Sequence, residues 1–140
     1  MPFGSDNARL YALKGLFATE RVAAAPATVY FALLRHATVP ETTLGTEPNS
    51  DGGYARVAMT NVDANWTFGT VTVENTNEIR WPTATAVYSE LSALNQWAIY
   101  DNTAGGTCLA FGELTTTITV TGSGDEPVIA AGDLVITMVV

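Results

Sequence analysis

The sequence predicts an all-β domain, a jelly-roll-like β-sandwich of about eight short strands with one N-terminal helix. Clusters of Gly, Pro, Asn and Asp punctuate the chain at short intervals, and the segments between them alternate with period two. No long amphipathic segment separates one strand from the next, which argues against a parallel α/β sheet.

At 140 residues the chain fits one domain, and a chain of this size buries roughly two-thirds of the surface its unfolded form exposes. We divide it into a helix-and-linker arm over residues 1–25 and a β-sandwich over 26–140, the latter containing a long loop at 38–53. The helix is expected over 6–18. Asp6 is placed to cap it, and Leu10, Leu13, Leu16 and Phe17 recur at the three-and-four spacing of one apolar face. A helix this short needs a surface to lie on, either its own domain or a neighbour.

The first strand is expected at 28–34, an apolar run holding Val29 and Tyr30. Pro40, Pro48, Asn49, Asp51, Gly52 and Gly53 then mark the 38–53 segment as loop or arm. Further strands are expected at 54–60, 66–73, 78–81, 96–100, 107–114, 115–121, 128–130 and 133–140. The stretch 83–95 has no clear period, and 89–94 is compatible with one helical turn.

Only 14% of residues are charged, against about 25% in an average soluble domain. A surface so poor in charge suits a protein packed against partners. Net charge is −8, with Lys14 and five scattered arginines as the only fixed cations. That balance argues against nucleic-acid binding, which needs a basic patch to displace counterions from phosphates. The start of the chain lacks the basic and apolar regions of a secretory signal, and no apolar run approaches membrane-spanning length. Synthesis and assembly in the cytoplasm, without membrane contact, are expected.

Chemistry-bearing constellations are sparse. His36 is the only histidine and Cys108 the only cysteine, too few for the usual zinc sets and leaving no disulfide framework. His36 sits at a strand end beside Arg35, and Cys108 lies inside a strand as a small hydrophobe. Asp101-Asn102 and Asp125-Glu126 read as turn formers rather than calcium ligands. No Gly-rich phosphate loop is present. No enzyme activity, no metal and no cofactor are expected. Trp66, Trp81 and Trp97 fall on or beside strands, where core filling is the ordinary role, though a large aromatic also anchors interfaces.

Beyond these readings, the chain resembles, almost end to end, a family of small tailed-phage virion structural proteins described as tail fibre, structural or jelly-roll capsid cement proteins. The blocks that carry the likeness are Ala25 to Leu33, Gly45-Thr46-Glu47, Gly52 to Arg56, and Asn77 to Thr85 around Trp81-Pro82. Trp97 to Asp101, Gly105-Gly106, Leu109 to Leu114 and Ala130 to Ile136 complete them. Residues 87–95 depart from the family's usual shorter segment.

The resemblance implies a virion protein that binds the major capsid protein and itself, as dimer or trimer. The expected role is capsid cement on the shell exterior, with a tail-fibre or receptor-binding module as the alternative. A short chain without coiled-coil heptads or fibre repeats favours cement. Candidate interface residues are Leu10, Leu13 and Phe17 on the helix, together with Arg56, Trp66 and Trp81. Arg56 is a multi-donor group able to clamp carbonyls or a carboxylate.

Overall fold

The computed structural model describes residues 26–36, 43–88 and 93–137. The expected helix at 6–18, with Leu10, Leu13 and Phe17, lies outside the described residues, as does most of the possible helical turn at 89–94. What is described is all-β: nine strands, every pairing antiparallel, with short 3-10 turns at Asp51–Gly53 and Asp63–Asn65.

The strands are β1 (Thr28–Leu34), β2 (Val57–Thr60), β3 (Trp66–Phe68), β4 (Thr72–Asn75), β5 (Ile79–Arg80), β6 (Ala93–Tyr100), β7 (Cys108–Thr119), β8 (Val128–Ile129) and β9 (Val135–Thr137). They form a four-stranded sheet in the order β2-β1-β6-β7, a three-stranded sheet β3-β4-β9 and a two-stranded sheet β5-β8. The central pair of the largest sheet joins distant parts of the chain, with Phe31 opposite Ile99 and Leu33 opposite Trp97. Both central strands are apolar over most of their length, as befits strands buried on both faces.

One hydrophobic core joins the three sheets. Val29, Phe31 and Leu33 of β1 and Leu94, Trp97 and Ile99 of β6 meet Trp66, Val73, Ile79 and Ile129 from the two smaller sheets. Phe31 and Trp66 lie 6.0 Å apart between ring centroids, and Tyr54 meets Tyr88 edge-on at 5.3 Å. All three tryptophans are in this core; Trp66 is 3% and Trp81 2% exposed.

Several boundaries differ from expectation for identifiable reasons. The segment 66–73 is not one strand: the chain turns at Gly69-Thr70 and returns as β4, Phe68 pairing with Val73. Strand β2 begins only at Val57, and beyond its pair with Phe31 the Leu33 amide of β1 donates to the Tyr54 hydroxyl in place of a ladder carbonyl. The two strands expected at 107–114 and 115–121 are one long β7 whose pairing with β6 slips. Gln96 faces Glu113 and Leu94 faces Ile118, so four residues of β7 oppose Asn95 alone, a wide irregularity of the bulge kind.

Three buried polar side chains hold these pieces in place. Asn61 Nδ2 donates to the Pro26 carbonyl, and its Oδ1 accepts from Trp66 Nε1. Asn75 donates to the Asn77 and Ala130 carbonyls and accepts from the Leu134 amide. Gln96 accepts from the Gly45 amide and donates to the Thr43 carbonyl. Each is a buried amide whose desolvation is compensated by hydrogen bonds across segments far apart in sequence.

Candidate functional site

The most developed polar cluster lies where the 43–53 segment meets the hairpin between β6 and β7. The described part of that segment is anchored to the sheet. Arg35 and Thr46 exchange backbone hydrogen bonds of 2.9 and 2.8 Å, Gln96 holds residues 43 and 45, and Pro48 is buried. Glu47 is thereby set against the start of β2.

There it meets Arg56. The guanidinium donates Nε–H to Glu47 Oε1 at 2.8 Å and Nη2–H to Oε2 at 2.7 Å, a two-pronged pair. Nη1 reaches the carbonyls of Asn102 and Gly105, both at 2.8 Å. The guanidinium carbon sits 3.6 Å from the centre of the Tyr100 ring, a cation–π contact. The Arg56 side chain is only 6% exposed and that of Glu47 23%. Arg56 thus clamps one carboxylate and two carbonyls together.

Tyr54 completes the cluster from below. Its hydroxyl donates to Glu47 Oε1 at 2.7 Å and accepts the Leu33 amide at 3.2 Å, serving a β1 amide beyond the last β1–β2 pair, Phe31 with Val57. Burial, reinforced by the adjacent Glu47 charge, pushes the Tyr54 hydroxyl far above its ordinary range. The hydrogen bonds it donates to Glu47 hold the Arg56 guanidinium more firmly protonated than usual. Burial raises Tyr100 and Cys108 as well.

The hairpin tip that Arg56 holds, residues 101–106, is exposed throughout. Asp101 Oδ1 accepts the Thr107 amide at 2.7 Å and closes the turn, while Gly105 and Gly106 adopt positive φ of 59° and 77°. A shallow cleft of about 440 Å³ runs beside the tip, lined by Glu47, Ser50, Tyr54, Arg56, Thr103 and Gly105 among others. The geometry is mechanical. Arg56 is committed to protein partners, and what it delivers is a fixed orientation of the tip relative to the sheet.

Of the predicted interface residues, Arg56 is at this cluster, whereas Trp66 and Trp81 are core side chains. Glu47 and Tyr54 were not singled out from the sequence, although both stand in the short blocks that carry the family likeness. Nothing local marks their pairing with Arg56, because it depends on how the loop folds back. Elsewhere, His36 Nε2 lies 2.8 Å from Thr43 Oγ1. Among the described residues no group of three or more His, Cys, Asp or Glu is placed to hold a metal ion, and no helix is long and apolar enough to cross a membrane.

Residues 11–137 match the family described as Podophage GP4 fiber I protein gp80. No curated protein matches the chain.

Proposed function

The chain belongs to this podophage fiber family, and from that premise we propose that it serves as a structural component of the phage's tail-fibre apparatus. The observation that carries the reading is the extent of the family match, residues 11–137 of 140. A virion structural role follows from the family; the position on the tail is the finer proposal. It moves the preference from capsid cement, favoured by the sequence, to the fibre alternative.

In this reading the module is non-enzymatic and free of cofactors. The committed bonding of Arg56 and the raised Cys108 thiol support that view. Its packed antiparallel sheets serve as a rigid mount, and the exposed 101–106 tip is the surface offered to a partner. Self-association as a dimer or trimer is part of the proposal: β7 is the edge of the largest sheet among the described residues, and its exposed Thr115 to Thr117 carry no charge to discourage pairing. Net charge of −8 disfavours nucleic acid as a partner.

The test is copy number. Quantitative mass spectrometry of purified virions gives the ratio of this chain to the major capsid protein. A ratio of a few per cent, with antibody labelling at the tail, upholds the fibre assignment. A ratio near unity, with labelling over the shell, replaces it with capsid cement bound to the major capsid protein.

A further inference from the structure

The open edge of the largest sheet carries a definite pattern of unused backbone groups. Among the described residues β7 has β6 as its sole ladder partner. In an antiparallel strand the N–H and C=O of one residue point to the same side, and successive residues alternate sides. The Leu33 amide donates to the Tyr54 hydroxyl, and Arg35 exchanges backbone bonds with Thr46. Both residues therefore aim their backbone groups toward the β2 side and away from β6. Leu33 pairs with Trp97, and Trp97 with Gly112. Trp97 and Gly112 thus bond to each other, and the flanking Phe111 and Glu113 point their N–H and C=O groups off the sheet.

Two slips bound this edge. The ladder with β6 jumps from Ala110 to Cys108 between Ile99 and Tyr100, and from Glu113 to Ile118 between Gln96 and Leu94. The regular stretch between the slips is residues 110–113. Slips of this kind guard the ends of an edge, and Lys or Pro commonly guards the middle. Strand β7 contains neither, and Glu113 is its one charge. Strand β9 does not cover the stretch, because a cleft of about 310 Å³ opens between Gly112 and Glu113 on one side and Ile136 and Thr137 on the other.

We propose that a second copy of the chain pairs here, β7 against β7 about a two-fold axis at Gly112, joining two four-stranded sheets into one. The inference rests on the self-association reading above and gives it a surface and a stoichiometry. Phe111 then faces Glu113 of the second copy, Glu113 faces its Phe111, and each pair exchanges both backbone bonds. The edge is its own complement, as a two-fold contact requires. The register is selective. An axis at Glu113 sets two carboxylates opposite each other, and an axis at Phe111 draws the slipped Leu109 into the ladder. At Gly112 the strands meet as the narrow kind of pair, ~4.5 Å between Cα atoms, where neither copy has a side chain to accommodate. A contact this short makes a dimer that dissociates on dilution.

Sedimentation of the full-length chain from about 1 μM to about 1 mM is compared with that of Glu113→Pro and Glu113→Ala. Proline removes an outward N–H that the β6 ladder does not use, whereas alanine keeps it. We expect a monomer–dimer equilibrium in the unaltered chain and in Glu113→Ala, and association weakened roughly tenfold or more in Glu113→Pro, with tryptophan emission unchanged. A monomer throughout overturns both the proposal and the self-association reading. A dimer that Glu113→Pro leaves intact, or that Glu113→Ala disrupts equally, overturns the edge pairing while self-association stands, and a trimer does the same. Should the emission of Glu113→Pro move, showing a disturbed core, hydrogen exchange on the unaltered chain decides. Amides of Phe111 and Glu113 that gain protection as concentration rises uphold the pairing, and fast exchange at both ends of the range overturns it.

Discussion

Arg56 and Glu47 hold each other through two parallel hydrogen bonds, of 2.8 and 2.7 Å, and the same guanidinium grips the far hairpin through the Asn102 and Gly105 carbonyls. A loop, a strand start and a hairpin tip therefore share one fixed charge.

Replacing Arg56 with Met removes the partner of a partly buried carboxylate. Loss of one member of a buried pair costs ~3–5 kcal/mol, and because Glu47 retains some access to water we expect about 2–4 kcal/mol here. Urea unfolding monitored by tryptophan emission gives the value. Arg56→Lys recovers only part of the loss, because an ammonium cannot make the two-pronged contact. In both variants the amides of residues 102–106 exchange faster than in the unaltered chain.

Alkaline pH destabilises the fold. Tyr54, Tyr88 and Tyr100 are raised chiefly by burial, and Cys108 likewise. The folded state keeps these protons while the unfolded chain releases them, near ~8.5 for Cys and ~10 for Tyr. Their contribution is complete below those unfolded values and is lost as pH rises through the folded ones. Midpoints of urea unfolding should fall steadily above about pH 9, and Tyr54→Phe should flatten the slope.

Gly112→Ala probes a close approach. A Cβ built there lies 2.7 Å from Trp97 Cζ2, with Gly112 and Trp97 paired in register. The indole must tilt into a filled core, at an expected cost of about 1–3 kcal/mol. A shift of the tryptophan emission should accompany the lowered thermal midpoint.

Asn75→Ala leaves the Leu134 amide and the Ala130 and Asn77 carbonyls without their buried partner. We expect about 2–3 kcal/mol of destabilisation, with hydrogen exchange rising first at Leu134. Replacement by Asp keeps the acceptor but not the donors and recovers only part of it.

The sequence showed the fold class because turn formers and period-two segments are local signals. Strand β1 was legible to the residue, as was the core-filling role of Trp97. The 101–106 turn was legible through Asp101 and its two glycines. What escaped was everything set by partners distant along the chain. The late start of β2 goes with the Leu33 amide of β1 being taken by the Tyr54 hydroxyl, and the merged β7 goes with a slip opposite Asn95. The loop at 38–53 reads as solvent-loving on composition, yet Glu47 and Gln96 tie its described part to the sheet. Asn61, Asn75 and Gln96 look like ordinary polar residues in sequence, and only folding shows that each joins two remote segments.

The pairing of Phe31 with Ile99 has a consequence in time. During synthesis at ~5–20 residues per second, roughly 3–13 seconds separate the emergence of β1 from that of β6. For that interval a seven-residue run with the sequence TVYFALL stands on the ribosome paired, among the described strands, with the short β2 alone. The nascent chain is therefore most exposed to clumping before its last third has emerged, and weaker induction, which leaves fewer such chains in the cell at once, should raise the yield of folded protein without any change in sequence.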